Sequence, residues 1–243
     1  MLSYRKISKL LTILLSFDKN WYNALLKYQV APSTEHIDVL QSLDPDLIID
    51  IGANRGQFSL AAIQVFPNAK ILCFEPLESA FTVLSEVMIK EQCVSLHNIA
   101  IGNLEASMNM NVSSKEDSSS LLDISDLQSE IFPGTSRCDS ERVRVSRLSN
   151  FISESELGKI NLIKIDVQGY ELEVLLGASE ILNNINYIYV ECSFLELYKD
   201  QATADDVIEF LSDNGFFLQG VYNLCKDKKG MAVQADFLFD NKA

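Results

Sequence analysis

Glycine and proline are scarce in this chain of 243 residues, numbering ten and five. That scarcity excludes a collagen-like or low-complexity protein. Basic residues are too few to balance the acidic ones, 20 against 34, which leaves a net charge of −14. A surface of that sign argues against nucleic acid as a partner, because phosphate attraction supplies most non-specific affinity. The five cysteines, Cys73, Cys93, Cys138, Cys192 and Cys225, are odd in number, and no two stand in a CxxC or comparable metal spacing. Cys73 and Cys192 fall inside apolar runs, where Cys behaves as a small hydrophobe. A reducing, cytoplasmic setting without a disulfide framework is expected. No segment repeats with a period of 20–50 residues, so a solenoid is disfavoured.

What is present points to one large α/β domain. Hydrophobic residues make up 47% of the chain and include thirteen Phe, ample for a sizeable core. Charge is uneven: in residues 1–30, Arg5, Lys6, Lys9, Lys19 and Lys27 face only Asp18. Ile7, Leu10, Leu11, Leu14 and Leu15 recur at helical spacing, so an amphipathic helix is expected there. The run is too short to cross a bilayer. It can pack on the body, on a second copy in a homodimer, or peripherally on the inner membrane face. We delimit 1–44 as an N-terminal helical extension and 45–243 as the main domain, which is expected to fold without residues 1–30.

From residue 47 strands alternate with helices. The run 47–51 is continuously apolar apart from Asp50 and ends at Gly52, the pattern of a strand buried on both faces of a parallel sheet. Helix is expected at 57–65, strand at 70–76, helix at 77–90 and strand at 94–101. The rhythm then breaks over an insert of about 102–148. Met108, Met110 and Val112 alternate with polar residues, as in a hairpin. Residues 113–140 read as a Ser- and Asp-rich loop, and Ser118, Ser119 and Ser120 can cover an acceptor site. A strand at 142–148 and a short helix at 148–153 follow. Alternation resumes with strand 161–166, helix 170–182, strand 187–191 and a helix at 203–214 capped by Thr203. Strands 216–222 and 233–239 have no room for a helix between them and should form an antiparallel hairpin. The expected fold is a doubly wound, mostly parallel seven-stranded sheet with that hairpin at its C-terminal edge.

In such sheets ligands bind beyond the C-terminal strand ends. The first strand delivers Asp50, Gly52, Asn54 and Gly56, followed by Phe58. Gly52 permits a sharp turn and close backbone approach. The second strand ends in Glu75 and Pro76, and a carboxylate there can accept both ribose hydroxyls. A dinucleotide fingerprint needs a glycine where Asn54 stands, which disfavours a nicotinamide-dependent oxidoreductase. The loop suits a small amine and carboxylate, as in the methionine part of S-adenosylmethionine.

Residues 50–59, Phe74-Glu75-Pro76, Asn98-Ile99-Ala100, residues 163–171 and Val190-Glu191 together resemble the FkbM family of S-adenosylmethionine-dependent methyltransferases. The resemblance covers about residues 45–240. It implies a Rossmann-like fold and O-methylation of a sugar, glycan or other natural product. It further implies Gly52 and Asn54 beside the methionine moiety, Glu75 on the ribose, and Asn98 and Ala100 near the adenine. Many members carry Glu where this chain has Gln168, so an acid/base role at that position is not carried over.

Asp166 ends the fourth parallel strand. It can orient the acceptor hydroxyl or act as general base, or it can hold the methionine amino group. Glu191 ends the next strand and is expected across the cleft, where the two carboxylates could hold a divalent cation, although no ligand spacing supports one. Lys164 shares the face of Asp166 and needs a partner, with Glu171, Glu191 or the substrate as candidates. The candidate catalytic residues are therefore Asp166, Glu191 and Lys164. His97 is expected near adenine or in packing, and His36 on a solvated helix face. A scaffold that binds cofactor without turnover is a third reading.

Overall fold

The computed structural model describes residues 12–241 apart from 14, 17 and 154. The expected leader helix therefore lies largely outside the described residues. Helix α1 (Lys19–Tyr28) opens at Asp18, whose carboxylate accepts the N–H groups of Asn20 and Trp21. Its Trp21 is fully buried, and the indole Nε1–H donates to Leu60 O at 3.0 Å. After α2 (Ile37–Leu40) the chain enters the sheet. Residues Trp21, Ala24, Val30, Val39 and Leu40 share a core cluster with Ile48 and Leu162. The segment from Asp18 onward thus contributes to the core of the sheet.

Five parallel strands carry the centre: β1 (Leu47–Ile51), β2 (Lys70–Phe74), β3 (Val94–His97), β7 (Asn161–Ile165) and β8 (Tyr187–Ser193). Helices α3 (Gln57–Val65), α4 (Glu78–Val87), α6 (Glu171–Gly177) and α7 (Ala204–Asp213) cover the two faces. Strands β9 (Phe216–Lys226) and β10 (Ala232–Asn241) form the antiparallel hairpin at one edge. The order β3-β2-β1-β7-β8-β10-β9 reverses between β1 and β7. Both of those strands are buried at every position, which explains why they are apolar on both faces apart from Asp50, Asn161 and Lys164. Ile49, Ile51, Ile163 and Ile165 face α6 and α7, whereas Ile48 and Leu162 face α3 and Trp21.

The insert is more ordered than its composition implies. Strands β4 (Ala100–Ile101), β5 (Ala106–Ser113) and β6 (Arg137–Ser146) make a separate three-stranded sheet, order β4-β6-β5. The expected strand at 94–101 is accordingly two strands. Asn98 Nδ2 donates to the carbonyls of Glu75 and Pro76, which turns the chain out of the large sheet. Strand β6 begins five residues before the expected one, because its first half is solvated and shows no apolar alternation. Within the Ser-rich stretch lie a 3-10 turn at Glu116–Ser118 and α5 (Asp126–Ile131). Ser119 Oγ accepts the N–H of Ser113, and Ser120 pairs with Asn111 through the backbone. Helix 170–182 is shorter than expected: α6 stops at Gly177, packed so close to Gly102 that a Cβ would lie 2.1 Å from its carbonyl oxygen.

All five cysteines are free, with Cys73 and Cys192 buried. Among the described residues no helix is long and apolar enough to cross a membrane.

Candidate active site

The reversal of strand order between β1 and β7 leaves a crevice beyond their C-terminal ends. A cavity of about 300 Å³ occupies it, lined by the β1–α3 loop, the end of β2, the end of β7, the 33–36 segment and the underside of the insert. Register sets the distances. Asp50 stands opposite Lys164 and Ile51 opposite Ile165. Gly52 (φ +81°) then passes so close that a Cβ would lie 1.9 Å from the Asp166 carbonyl oxygen.

Glu75 forms one wall and is 5% exposed. Its Oε2 accepts Asn54 N–H at 2.8 Å and its Oε1 accepts Leu77 N–H at 2.9 Å. Each oxygen keeps a further acceptor site, so the carboxylate is fixed and still able to take two hydroxyls. Burial pushes its pKa up to about 7 against those two hydrogen bonds. Asn54 itself adopts φ +49°, and this left-handed turn is what aims its N–H at Glu75. Beside Glu75, Pro76, Leu77, Ile99 and Ala100 give an apolar wall. A diol acceptor next to an apolar slot fits an adenosine, and the acidic end at Asp166 fits a cationic sulfonium.

Asp166 reaches the cavity with 37% of its side chain exposed. Its Oδ2 lies 3.3 Å from Lys164 Nζ, and its Oδ1 accepts from Gln168 Nε2 at 2.8 Å. Burial opposes its charge, but Lys164 and the Gln168 hydrogen bond outweigh that and hold its pKa below the usual range. Lys164 also approaches Asp50 at 3.8 Å and lies over the Phe58 ring. Its partners are Asp50 and Asp166, not the expected Glu171 or Glu191. Asp50 is fully buried, and Ser59 Oγ donates to its Oδ2 at 2.6 Å.

Gln168 (φ +58°) joins the rest. Its amide donates to Asp166 and to Glu191 Oε2, both at 2.8 Å, and its carbonyl oxygen accepts from Tyr198 Oη at 2.9 Å. Glu191 therefore stands behind Gln168 and off the cavity wall, not across an open cleft. Burial, with Asp166 and Asp236 nearby, pushes its pKa well up. A donor amide occupies the place between the two carboxylates where a cation would need acceptors. Among the described residues no cluster of His, Cys, Asp and Glu is set to hold a metal. Glu171 accepts the N–H groups of Gly169 and Val167 and so ties down the loop after β7.

The cavity gathers Gly52, Asn54, Phe58, Glu75, Pro76, Ala100, Lys164 and Asp166, all expected there. Asp50, Gly56 and Asn98 support it from behind. Gly56 packs on Met88 and Leu84, and Asn98 pins the Glu75–Pro76 turn. His97 stacks on Phe74 at 4.8 Å and edges Phe151, off the cavity wall. His36 corrects the sequence reading. It lines the cavity with 13% of its side chain exposed, hydrogen-bonded to Tyr189. Its hydrogen-bonding partners Tyr189 and Asn223 lie 153 and 187 residues along the chain, and no local pattern announces them. The insert closes the other side through Glu116, Asp117, Ser119 and Leu121, and Arg55 pairs with Glu116 across the mouth.

A doubly wound sheet with a buried carboxylate after β2 and a fixed aspartate after β7 has the architecture of a Rossmann-like methyltransferase. The fold is shared with TehB from Haemophilus influenzae, at a TM-score of 0.52 and 12% identity over 93% of this chain and 68% of that one. The chain belongs to the FkbM methyltransferase family: the family profile described as Methyltransferase FkbM domain matches residues 50–218. It is 30% identical to 2-O-methyltransferase NoeI of Sinorhizobium fredii (strain NBRC 101917 / NGR234), over 72% of this chain and 74% of that protein. It is 29% identical to Methyltransferase 1 of Beauveria bassiana (strain ARSEF 2860), over 71% and 74% respectively. The protein is thus an S-adenosylmethionine-dependent methyltransferase.

Proposed function

We propose that the protein methylates a hydroxyl oxygen of a sugar, glycan or similar polyhydroxylated small molecule. The observation that carries this reading is the pair Glu75 and Asp166 in one cavity, a fixed diol acceptor at one end and an ionised carboxylate at the other. The 2-O-methyltransferase among its relatives supports oxygen as the accepting atom. Bound S-adenosylmethionine supplies an electrophilic methyl on a positive sulfur. Glu75 would hold the ribose hydroxyls, and the apolar wall around Ile99 and Ala100 the adenine. Asp166, kept ionised by Lys164, would favour the positive end electrostatically and accept a hydrogen bond that aims the acceptor hydroxyl. Lys164 and Gln168 fix the Asp166 carboxylate and so confine that aim.

Calorimetry should show binding of S-adenosylhomocysteine and none of NAD. Mass spectrometry of a panel of mono- and oligosaccharides incubated with S-adenosylmethionine should then show gain of a single methyl. Transfer confined to nitrogen or carbon acceptors would overturn the choice of oxygen.

A further inference from the structure

Asp166 is a poor proton acceptor, because Lys164 and Gln168 both stabilise its charged form. Glu191 is more basic but stands off the cavity wall. A hydroxyl that gains a methyl must release its proton, and the cavity wall, besides the carboxylates of Glu35, Glu75, Glu116 and Asp117, carries one imidazole base.

That base is His36, at the end of the 3-10 turn Thr34–His36. The turn is tied to α3 by Ser33 N–H donating to Gln57 O at 2.9 Å. The imidazole lies edge-on to both Phe58 and Tyr189, with ring centroids 5.5 Å away in each case. Its Nδ1 is 2.9 Å from Tyr189 Oη, which spends its own proton on Asp236 Oδ2 at 3.1 Å. Asn223 Nδ2 donates to the same Asp236 oxygen at 2.7 Å. With its proton directed at Asp236, the Tyr189 oxygen is an acceptor for His36 Nδ1, and Asp236 Oδ2 lies 3.6 Å from the same nitrogen; Asn223 Nδ2, at 3.2 Å, is the one donor facing it and is already engaged with Asp236 at 2.7 Å, so two acceptors against one donor favour the hydrogen of His36 on Nδ1. The lone pair is then on Nε2, which makes no hydrogen bond among the described residues, while the ring lines the cavity. His36, Asn223 and Asp236 all lie outside the matched span 50–218. This arrangement therefore joins Tyr189 of the family domain to segments that flank it.

We propose that Nε2 of His36 takes the proton of the acceptor hydroxyl, with Tyr189 and Asp236 as positioning residues that hold the ring and its tautomer. This assignment rests on the O-methylation reading. As the acceptor oxygen bonds to the methyl carbon, the C–S bond breaks and its electron pair stays on sulfur. The O–H bond breaks and its proton goes to Nε2. The resulting imidazolium is 3.6 Å from Asp236 Oδ2, which offsets its charge. The groups facing His36 are Asp236 on β10, Tyr189 on β8, Lys164 and Asp166 at the end of β7, and Glu35 on its own turn. Burial outweighs the acidic neighbours and lowers the His36 pKa below 6.5, so the ring is neutral at pH 7.

With only two histidines in the chain, ¹⁵N NMR resolves the tautomer directly, using His36→Asn for assignment. The wild-type protein should show Nδ1–H and a bare Nε2 above pH 7, and Tyr189→Phe should erase that preference. An Nε2–H tautomer overturns the proposal. His36→Asn should lower kcat by ~10² or more, the scale for a general base, with S-adenosylhomocysteine affinity within threefold of wild type. Tyr189→Phe should lower kcat about tenfold and move the acidic limb of its pH profile. Turnover of His36→Asn within threefold of wild type overturns His36 as the base while leaving O-methylation standing. A wild-type protein that methylates no hydroxyl in the panel overturns the O-methylation reading itself, and the base assignment with it.

Discussion

Lys164 Nζ lies 3.3 Å from Oδ2 of Asp166, inside a site where the lysine is 7% exposed and the aspartate 37%. The two therefore differ in what their removal should do. Lys164 also compensates Asp50, which is fully buried. Lys164→Met would strand that charge, and we expect a loss of about 3–5 kcal/mol in denaturant unfolding, the scale for breaking a buried pair. Asp166→Asn leaves Lys164 with Asp50. Its stability should stay within about 1 kcal/mol of wild type, as for a partly exposed pair.

Asp166→Asn should show its main effect in binding. An ionised carboxylate near the sulfur favours the cationic sulfonium over the neutral thioether of the product. We expect S-adenosylmethionine affinity to fall at least about tenfold, well within the Coulomb energy of such a pair. S-adenosylhomocysteine affinity should change much less. Equal losses for the two ligands in calorimetry would place the carboxylate on the methionine amino group instead.

Glu75 sets a pH dependence. Burial raises its pKa to about 7, and burial does the same for Glu171. The ionised form is the better acceptor of two hydroxyls, so S-adenosylhomocysteine affinity should increase as pH rises through about 7. Glu75→Gln should flatten that profile and cost about 1.5–3 kcal/mol of binding at pH 8, the scale for hydrogen bonds to a charged group. Without ligand the sign is opposite. Both carboxyls are raised in the folded state, so their stabilising contribution is full below the ordinary value of 4.5 and is lost as pH rises through about 7. Melting temperature of the free protein should accordingly fall between pH 5 and 8 as far as these two groups govern it. A flat affinity profile for wild type would remove Glu75 from the ribose.

The parts of the site that could be read in sequence are those written locally. β1 and β7 are buried on both faces, so their apolar runs and the polar residues ending them stand out. Glu75 follows β2 directly, and Gly52 marks a turn. What was hidden depends on register or on distant segments. That Lys164 faces Asp50 follows from the pairing of β1 with β7, which no single strand encodes. His36 reads as a surface residue because its partners Tyr189, Asn223 and Asp236 come from three other strands. The Ser-rich insert reads as loose because its order rests on side-chain-to-backbone bonds such as Ser120 Oγ donating to Gln168 O and on scattered apolar residues such as Leu122, Ile124 and Phe132 packing on distant Leu197, Tyr198 and Val233, with no local apolar period.

Two glycines with similar backbone angles should respond very differently to alanine. Gly52 has φ +81°, and its added Cβ would meet the Asp166 carbonyl oxygen at 1.9 Å. Gly230 has φ +86° with nothing within 4 Å. Gly230→Ala should cost about 1 kcal/mol, the left-handed penalty alone. Gly52→Ala must also push β1 from β7, and we expect more than about 3 kcal/mol together with loss of cofactor binding. Equal melting temperatures for the two variants would contradict the contact between the Gly52 loop and Asp166.

Trp21 provides the last test, because it is the only tryptophan in the chain. Its side chain is 1% exposed and joins α1 to α3 through the bond to Leu60 O. Trp21→Ala should cost about 3–5 kcal/mol, the range for deleting a buried aromatic. Trp21→Phe keeps much of the packing but leaves the Leu60 carbonyl without that donor, and about 1–3 kcal/mol should be lost. Deleting residues 1–30 removes Trp21, Ala24 and Val30 together, all buried in the core cluster that holds Ile48 and Leu162. We expect that truncation to lose cooperative unfolding, in contrast to a dispensable extension. In the intact chain, tryptophan fluorescence and far-UV circular dichroism should report the same denaturant midpoint, since α1 unfolds with the sheet. A fluorescence transition well below the dichroism midpoint would show that α1 detaches first, and the truncated domain would then be expected to survive.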